Sequence, residues 1–437
     1  MQNTPSLPEV HRSIPVPNGG GFWRKLFAYA GPGYLVSVGY MDPGNWATDL
    51  AGGSKFGYAL LSVILISNLM AVLLQSLCVR LGVATGKDLA QMCRAYFSPR
   101  VSFCLWVLCE LAIAACDLAE LLGSAIALQL LFGMPLVWGV CLTALDVLVL
   151  LCLQSKGFRY VEALVIMLVS TVGICFVAQI IFSRPDPAGI LWGYVPSMSI
   201  LQNPDKLYIA MGILGATVMP HNLYLHSAIV QTRAWEPTPK KKWEAIKFGT
   251  IDSTLALSLA LLINSAILIV AAATFHTSGH HDVAEIQDAY KLLSPLLGVG
   301  AASAIFGIAL LASGQSSTLT ATLAGQIVLE GFLQFRLPPW LRRLASRLLA
   351  IIPALIAIAY FGEQSTSSLL IFSQVVLSLQ LSFAVVPLVM FTSDRRLMGE
   401  FVNPQWLKCL SWLVAIAIAV LNLWLLWQTL SGWLGYA

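Results

Sequence analysis

Charge is what this sequence has least of. Only 11% of its 437 residues are Asp, Glu, Lys or Arg, against about 25% in an ordinary soluble domain. Too little charge remains to solvate a soluble enzyme or a disordered scaffold, or to grip nucleic-acid phosphate. The net charge of +4 names no partner. Paired cysteines are missing too. None of the nine forms a CxxC pair, so the thiols read as small packing residues rather than a disulfide framework or a zinc site. Catalytic signatures such as HExxH, a Ser/Lys dyad or a Gly-rich phosphate loop are absent, and no enzymatic activity is expected. The first 20 residues are polar and proline-bearing, so no secretory signal is expected there.

What fills the chain instead is apolar. Hydrophobic residues make up 58% of it, and the mean hydropathy is +0.79 over the whole length. An excess that is global marks an all-α polytopic membrane protein rather than one with a single anchor. At roughly 20 apolar residues per span, eleven helices are expected: 28–53, 58–79, 101–131, 136–154, 160–182, 207–231, 249–274, 299–330, 343–361, 367–391 and 409–431. Loop charge orients them. With the N-terminus in the cytoplasm, 21 of the 25 Lys and Arg fall on the inner side, leaving Lys55, Arg184, Lys206 and Lys291 outside. Moving one helix in or out would spoil that separation. The tail 1–27 is therefore cytoplasmic, the C-terminus lies outside, and the protein belongs in a cell (inner) membrane.

Two of these helices are interrupted near mid-span. Helix 1 carries Asp42-Pro43-Gly44-Asn45 and helix 6 carries Met219-Pro220-His221-Asn222. Proline removes a backbone donor and crowds the preceding turn, and Gly44 loosens the chain further. A lone membrane proline is usually only a kink. Here both breaks read x-Pro-x-Asn, five helices apart and oppositely directed, which is the trace of an inverted five-plus-five repeat: 28–182, then 207–391, with helix 11 (409–431) added. Unwound backbone at this depth lines a binding cavity.

The residues at the breaks are acceptors. A mid-membrane carboxylate such as Asp42 costs about 2.5–3.5 kcal/mol to insert, and no basic residue lies in the core of another helix to pair with it. Asn45, one turn on, offers a carbonyl oxygen to the same point. Backbone carbonyls around Gly39 and Ala216 add the negative ends of the half-helices. This set wants a cation. Met219 decides which one: a buried methionine is more commonly a pliable gap-filler, but beside a broken helix and opposite Asp42 its thioether favours a softer transition metal over Mg²⁺ or Ca²⁺. Mn²⁺ or Fe²⁺ fits best.

Together the two four-residue motifs resemble the signature of the Nramp family (natural resistance-associated macrophage protein), the proton-coupled divalent-metal transporters. The similarity takes in Gly31-Pro32-Gly33 and Asp117-Leu118-Ala119-Glu120 and runs over nearly the whole chain. It implies a LeuT-type fold and import of Mn²⁺ or Fe²⁺ driven by the proton gradient, with Asp42, Asn45, Met219 and the Ala216 carbonyl on the metal and Gln374 joining in one conformation. The metal is cargo, and no cofactor is expected.

Helix 3 presents Glu110, Asp117 and Glu120 within about 80° of one another on a helix of 100° per residue. The resemblance assigns Asp117 and Glu120 to proton transfer, with Arg342 and Arg343 as partners; a structural ion pair competes for all three acids, and evenly for Glu110. His221 titrates in the useful range and is implied to modulate the proton path, as is His226 further along. Asn68 and Gln75 read as interhelical hydrogen-bond glue, and His276, His280 and His281 as solvated loop residues. The expected partners are a divalent metal ion, protons and the lipid bilayer, with no nucleic acid and a monomeric chain. The rival reading is a LeuT-type amino-acid or organic-cation transporter, which would want Gly-rich breaks exposing amide donors rather than Asp and Met.

Overall fold

Proline and glycine punctuate the chain. Pro32, Pro43, Pro99, Pro204, Pro220 and Pro239 each open a helix, where the missing N–H would have had no partner in any case. Gly86 (φ 67°) and Gly133 (φ 69°) close helices in the left-handed conformation that glycine adopts without strain. The computed structural model describes residues 5–433 apart from 18, 144–156, 284, 334–340, 342–350, 353–354, 357–359 and 361–365, and without the side chains of 367 and 428–433.

A short helix α1 (Phe22–Tyr29) precedes the first broken span, α2 (Pro32–Val38) and α3 (Pro43–Phe56). There follow α4 (Leu61–Thr85), the short α5 (Leu89–Tyr96), α6 (Pro99–Phe132), α7 (Leu136–Thr143) and α8 (Phe158–Ser183). The second broken span is α9 (Pro204–Thr217) and α10 (Pro220–Ile229). Then come α11 (Pro239–Ala271), α12 (Ile286–Leu297), α13 (Ala302–Leu333), α14 (Thr366–Ser393) and α15 (Gln405–Trp433). Among the described residues, seven helical stretches are long and apolar enough to cross a membrane. The expected helix 4 is described only as far as Thr143, the expected helix 9 lies mostly outside the described residues, and Arg342 and Arg343 lie outside them.

Helix α4 packs on α11, and α6 packs on α13. Between them lie the broken spans, with α3 against α9 and α14.

The loops sort by end. At one end Lys242 Nζ donates to Ala84 O (2.8 Å), Arg80 to Phe401 O (3.3 Å) and Arg94 to Gly331 O (2.6 Å). The tail closes this end. Ser6 Oγ donates to Asp88 Oδ2 (2.6 Å), Leu7 N to Glu330 Oε2 (3.1 Å) and Arg12 N to Gln231 O (3.0 Å). Strand β1 (Ile14–Pro15) then runs parallel to β2 (Arg233–Ala234), and Leu7, Val10 and Ile14 are buried beneath. At the other end Lys55 pairs with Asp205 (2.6 Å) and Ser54 Oγ donates to Val283 O (2.9 Å). Each of these contacts joins segments that the charge reading puts on the same side.

The first half-helix is anchored at the tail end. Arg233 Nη1 pairs with Glu162 Oε1 at 2.6 Å, and its Nη2 donates to Ala30 O. Asp252 accepts from Gly31 N (3.3 Å) and Gly33 N (2.7 Å). Gly31 sits at φ 136°, and a side chain there would strike Glu162 and Arg233.

Candidate metal centre

Both breaks form where sequence places them, and they form alike. Residues Gly39–Met41 tighten into a 3₁₀ turn, and Asp42 swings to an extended backbone (φ −68°, ψ 167°) as the N-cap of α3. Val218 (φ −107°, ψ 71°) ends α9, and Met219 (φ −69°, ψ 124°) stands as the N-cap of α10. Each cap is followed at once by proline. The difference lies in the side chain: Asp42 Oδ1 accepts from Asn45 N at 2.8 Å, whereas the thioether of Met219 makes no cap hydrogen bond.

The candidate ligands are all out of water. Asp42, Met219, Ala216 and Gln374 are 0% exposed and Asn45 1%. Asp42 Oδ2, Asn45 Oδ1 and Gln374 Oε1 have no hydrogen-bond partner among the described residues. Buried polar atoms are normally paired, so three orphaned oxygens at one pair of breaks is a set of acceptors awaiting a donor or a cation. No ion pair among the described residues involves Asp42. The close approaches show how the set is gathered. A Cβ added to Gly44 would collide with the Gln374 amide, and one added to Gly215 would strike the Gln374 backbone and Ser378. Gln374 of α14 is therefore wedged between the first break and the half-helix leading to the second. A Cβ on Gly39 would fall on the Asn222 amide and 3.2 Å from Met219 Sδ, which puts the sulfur against the end of the first half-helix. Pro43 packs on Gly123 of α6 in the same way.

The acids of α6 divide. Asp117 and Glu120 are buried. Glu110 is half-buried and accepts from Trp106 Nε1 at 3.1 Å. A residue the sequence reading set aside as packing links the metal side to the acids: Cys116 Sγ donates to Glu120 Oε1 at 3.4 Å and lies 3.8 Å from His221 Nε2. Its signal was its place one turn before Glu120, hidden because an apolar helix accepts cysteine as a small hydrophobe. His226 faces elsewhere. Its Nδ1 bonds Gln75 Oε1 at 2.9 Å, and Gln75 Nε2 donates to the Tyr40 hydroxyl at 2.8 Å, so Gln75 is indeed a bridge between helices. Asp49 was also missed. It is 1% exposed, lies seven residues after Asp42 on the same helix face, and its Oδ2 has no hydrogen-bond partner among the described residues. Of the histidines read as solvated loop residues, His276 is instead half-buried, with Nδ1 2.9 Å from Ser54 O and 3.2 Å from His281 Nδ1, and no group of three or more such ligands forms among the described residues.

Comparison with known proteins bears on the family and the fold. The model of the family described as natural resistance-associated macrophage protein-like matches residues 33–428. The chain is 82% identical to the divalent metal cation transporter MntH of Nostoc sp. over 99% of this chain and 98% of that one. It is 63% identical to MntH of Listeria monocytogenes serotype 4a, over 99% and 96%. Among solved structures, a manganese transporter of Eremococcus coleocola superposes with a TM-score of 0.91 at 43% identity, covering 99% of this chain and 92% of that one. The nucleobase-cation symporter Mhp1, at 15% identity and a TM-score of 0.55, shares the fold alone. A helical membrane protein broken at two mirrored prolines, matched along nearly its full length, is a member of the Nramp family.

Proposed function

We propose that the protein is a secondary transporter that imports a divalent transition metal, Mn²⁺ or Fe²⁺, coupled to proton movement by alternating access. One observation carries the reading: the orphaned oxygens of Asp42 and Asn45 are buried at one helix break, the Met219 thioether is buried at the other with its sulfur against the Gly39 turn that leads into Asp42, and no ion pair among the described residues involves Asp42. Hard oxygen and soft sulfur together suit a transition metal better than Ca²⁺ or Mg²⁺. The relatives named as divalent metal and manganese transporters support the same cargo.

The residues suggest the sequence of events. A hydrated metal entering from outside sheds water as Asp42, Asn45, Met219 and the carbonyls of Ala216 and Gly39 take over, with Gln374 closing from α14. Ligation needs an ionised carboxylate, so metal and proton compete at Asp42. Cys116 Sγ reaches both Glu120 Oε1 (3.4 Å) and His221 Nε2 (3.8 Å), and Asp117 follows it in the chain. A proton leaving Asp42 passes from there to Glu120 and Asp117 and on towards the cytoplasmic end, where Arg342 and Arg343 are its partners in this reading. His226, tied to Gln75 and Tyr40, acts on the path by holding the second half-helix, and Glu110 stays outside it with Trp106. The half-helices then rock against the packed α4, α6, α11 and α13. The halves 28–182 and 207–391 are the two repeats, the tail is cytoplasmic, and the chain works as a monomer.

The amino-acid reading is weaker on this geometry. It needs free amides with no acid beside them; the α10 N-terminus is uncapped, but at the first break Asp42 occupies the Asn45 amide and would set its own carboxylate against that of an amino acid. The test is Mn²⁺ uptake into proteoliposomes with and without an inward proton gradient, against excess Ca²⁺, for the native protein and Met219→Ala. Uptake that rises with the gradient, ignores Ca²⁺ and becomes Ca²⁺-sensitive in the variant is expected. No Mn²⁺ uptake would sink the metal reading and bring the organic-substrate transporter forward.

A further inference from the structure

The mirrored breaks pair residues as well as helices. Asp42 and Met219 hold the same post, N-cap ahead of proline, and three residues on Asn45 and Asn222 hold the same post in their half-helices. Asn45 is in the ligand set above and Asn222 is not. Yet Asn222 has the same unusual surroundings. It is 0% exposed, and neither its Oδ1 nor its Nδ2 has a hydrogen-bond partner among the described residues. A fully buried primary amide left unpaired is costly, and an apolar side chain of the same shape would be the more stable occupant. The amide is also aimed at the site: it lies against Gly39, on the same patch of backbone that Met219 Sδ approaches. Oxygen and nitrogen of such an amide are exchanged by a half-turn of the terminal torsion, so either can face the break.

We propose that Asn222 is a further ligand of the transported cation, giving its Oδ1 from the second half-helix as Asn45 does from the first when the breaks close. The inference rests on the cation reading of the breaks. Its chemistry is specific: a neutral oxygen adds a donor for a partly dehydrated metal without adding charge, so the site keeps a single carboxylate from Asp42. A second carboxylate would tilt it towards the hard, oxygen-rich sites that hold Ca²⁺.

The alternative role is structural, with Nδ2 donating to a freed backbone carbonyl and merely holding the break, and the two roles respond oppositely to one substitution. Asn222→Asp keeps an oxygen acceptor of the same shape and loses the donor, while Asn222→Leu loses both. Mn²⁺ binding to purified protein is measured by calorimetric titration for the native chain, Asn222→Leu, Asn222→Asp and Asp42→Asn, with thermal unfolding to report folding and Asn222→Ala standing in if the leucine variant does not fold. The expected result is a loss of Mn²⁺ affinity of about tenfold or more in Asn222→Leu, retention in Asn222→Asp, and new Ca²⁺ binding in Asn222→Asp. Native-like binding by Asn222→Leu overturns the inference, and so does equal weakening in the leucine and aspartate variants. If the native chain and Asp42→Asn behave alike towards Mn²⁺, the cation reading itself has failed; if only Asp42→Asn loses binding, that reading stands and the role of Asn222 alone falls.

Discussion

The amide of Gln374 lies directly over Gly44, so close that a single added methyl group would overlap it. The glycine of the first break is there to admit a side chain from α14, not only to loosen its own helix. Gly44→Ala should lower the unfolding midpoint, since overpacking of this kind costs about 1–3 kcal/mol, and should abolish most Mn²⁺ uptake. Adding Gln374→Ala in the same chain should recover the midpoint but not the uptake. A Gly44→Ala protein as stable and as active as the native one would refute the contact.

Asp42 has one oxygen on Asn45 N and one with no hydrogen-bond partner among the described residues. Replacing it by Asn keeps the shape and the cap acceptor and removes the charge. Asp42→Asn is expected to fold, to lose Mn²⁺ binding by a hundredfold or more, equivalent to about 3 kcal/mol, and to show no metal-driven proton flux. Intact flux, read with a pH-sensitive dye inside liposomes, would mean that the carboxylate has no part in coupling.

Two arginines share Glu162 and should behave very differently. Arg233 is buried with it, whereas the Arg159 side chain is 44% exposed. Removing the carboxylate strands a buried guanidinium, so Glu162→Ala should destabilise by about 3–5 kcal/mol. Arg159→Ala leaves the buried pair whole and should cost no more than about 1 kcal/mol. Thermal unfolding of both variants decides it, and equal losses would contradict the buried pair as the anchor of the first half-helix.

The tail gives the protein a clasp that weakens as pH rises. Asp88 lies outside the spans, accepts from Ser6 Oγ and caps α5 through Gln91 N. Burial raises its carboxyl from 3.8 to about 6, against the opposing pull of Ser6, the Gln91 and Ala90 amides and Arg94. A raised carboxyl binds its proton more tightly in the folded state, so its contribution is fully present below pH about 4 and is lost as pH rises through about 6. Asp88→Asn should therefore flatten the fall in unfolding midpoint between pH 4 and 7. An unchanged slope would show that Asp88 does not titrate in that window.

Much of this molecule could be read from residue order. Polarity alone put the chain in a membrane, because apolar stretches of spanning length have no other stable home. The prolines at 43 and 220 placed the breaks, since a missing N–H disrupts a helix whatever surrounds it. Asp42 stood out because an unpaired carboxylate at mid-span is costly anywhere in a bilayer. Each of these is a local property. The tertiary structure decided what depends on neighbours distant in sequence: that Gln374 reaches Gly44, that Cys116 stands between His221 and Glu120, that His226 turns to Gln75, and that the tail folds back onto Asp88 and Glu330. It also separated Asn222 from an ordinary polar helix residue. Whether a buried amide is satisfied is a fact about its surroundings, and no spacing along the chain contains it.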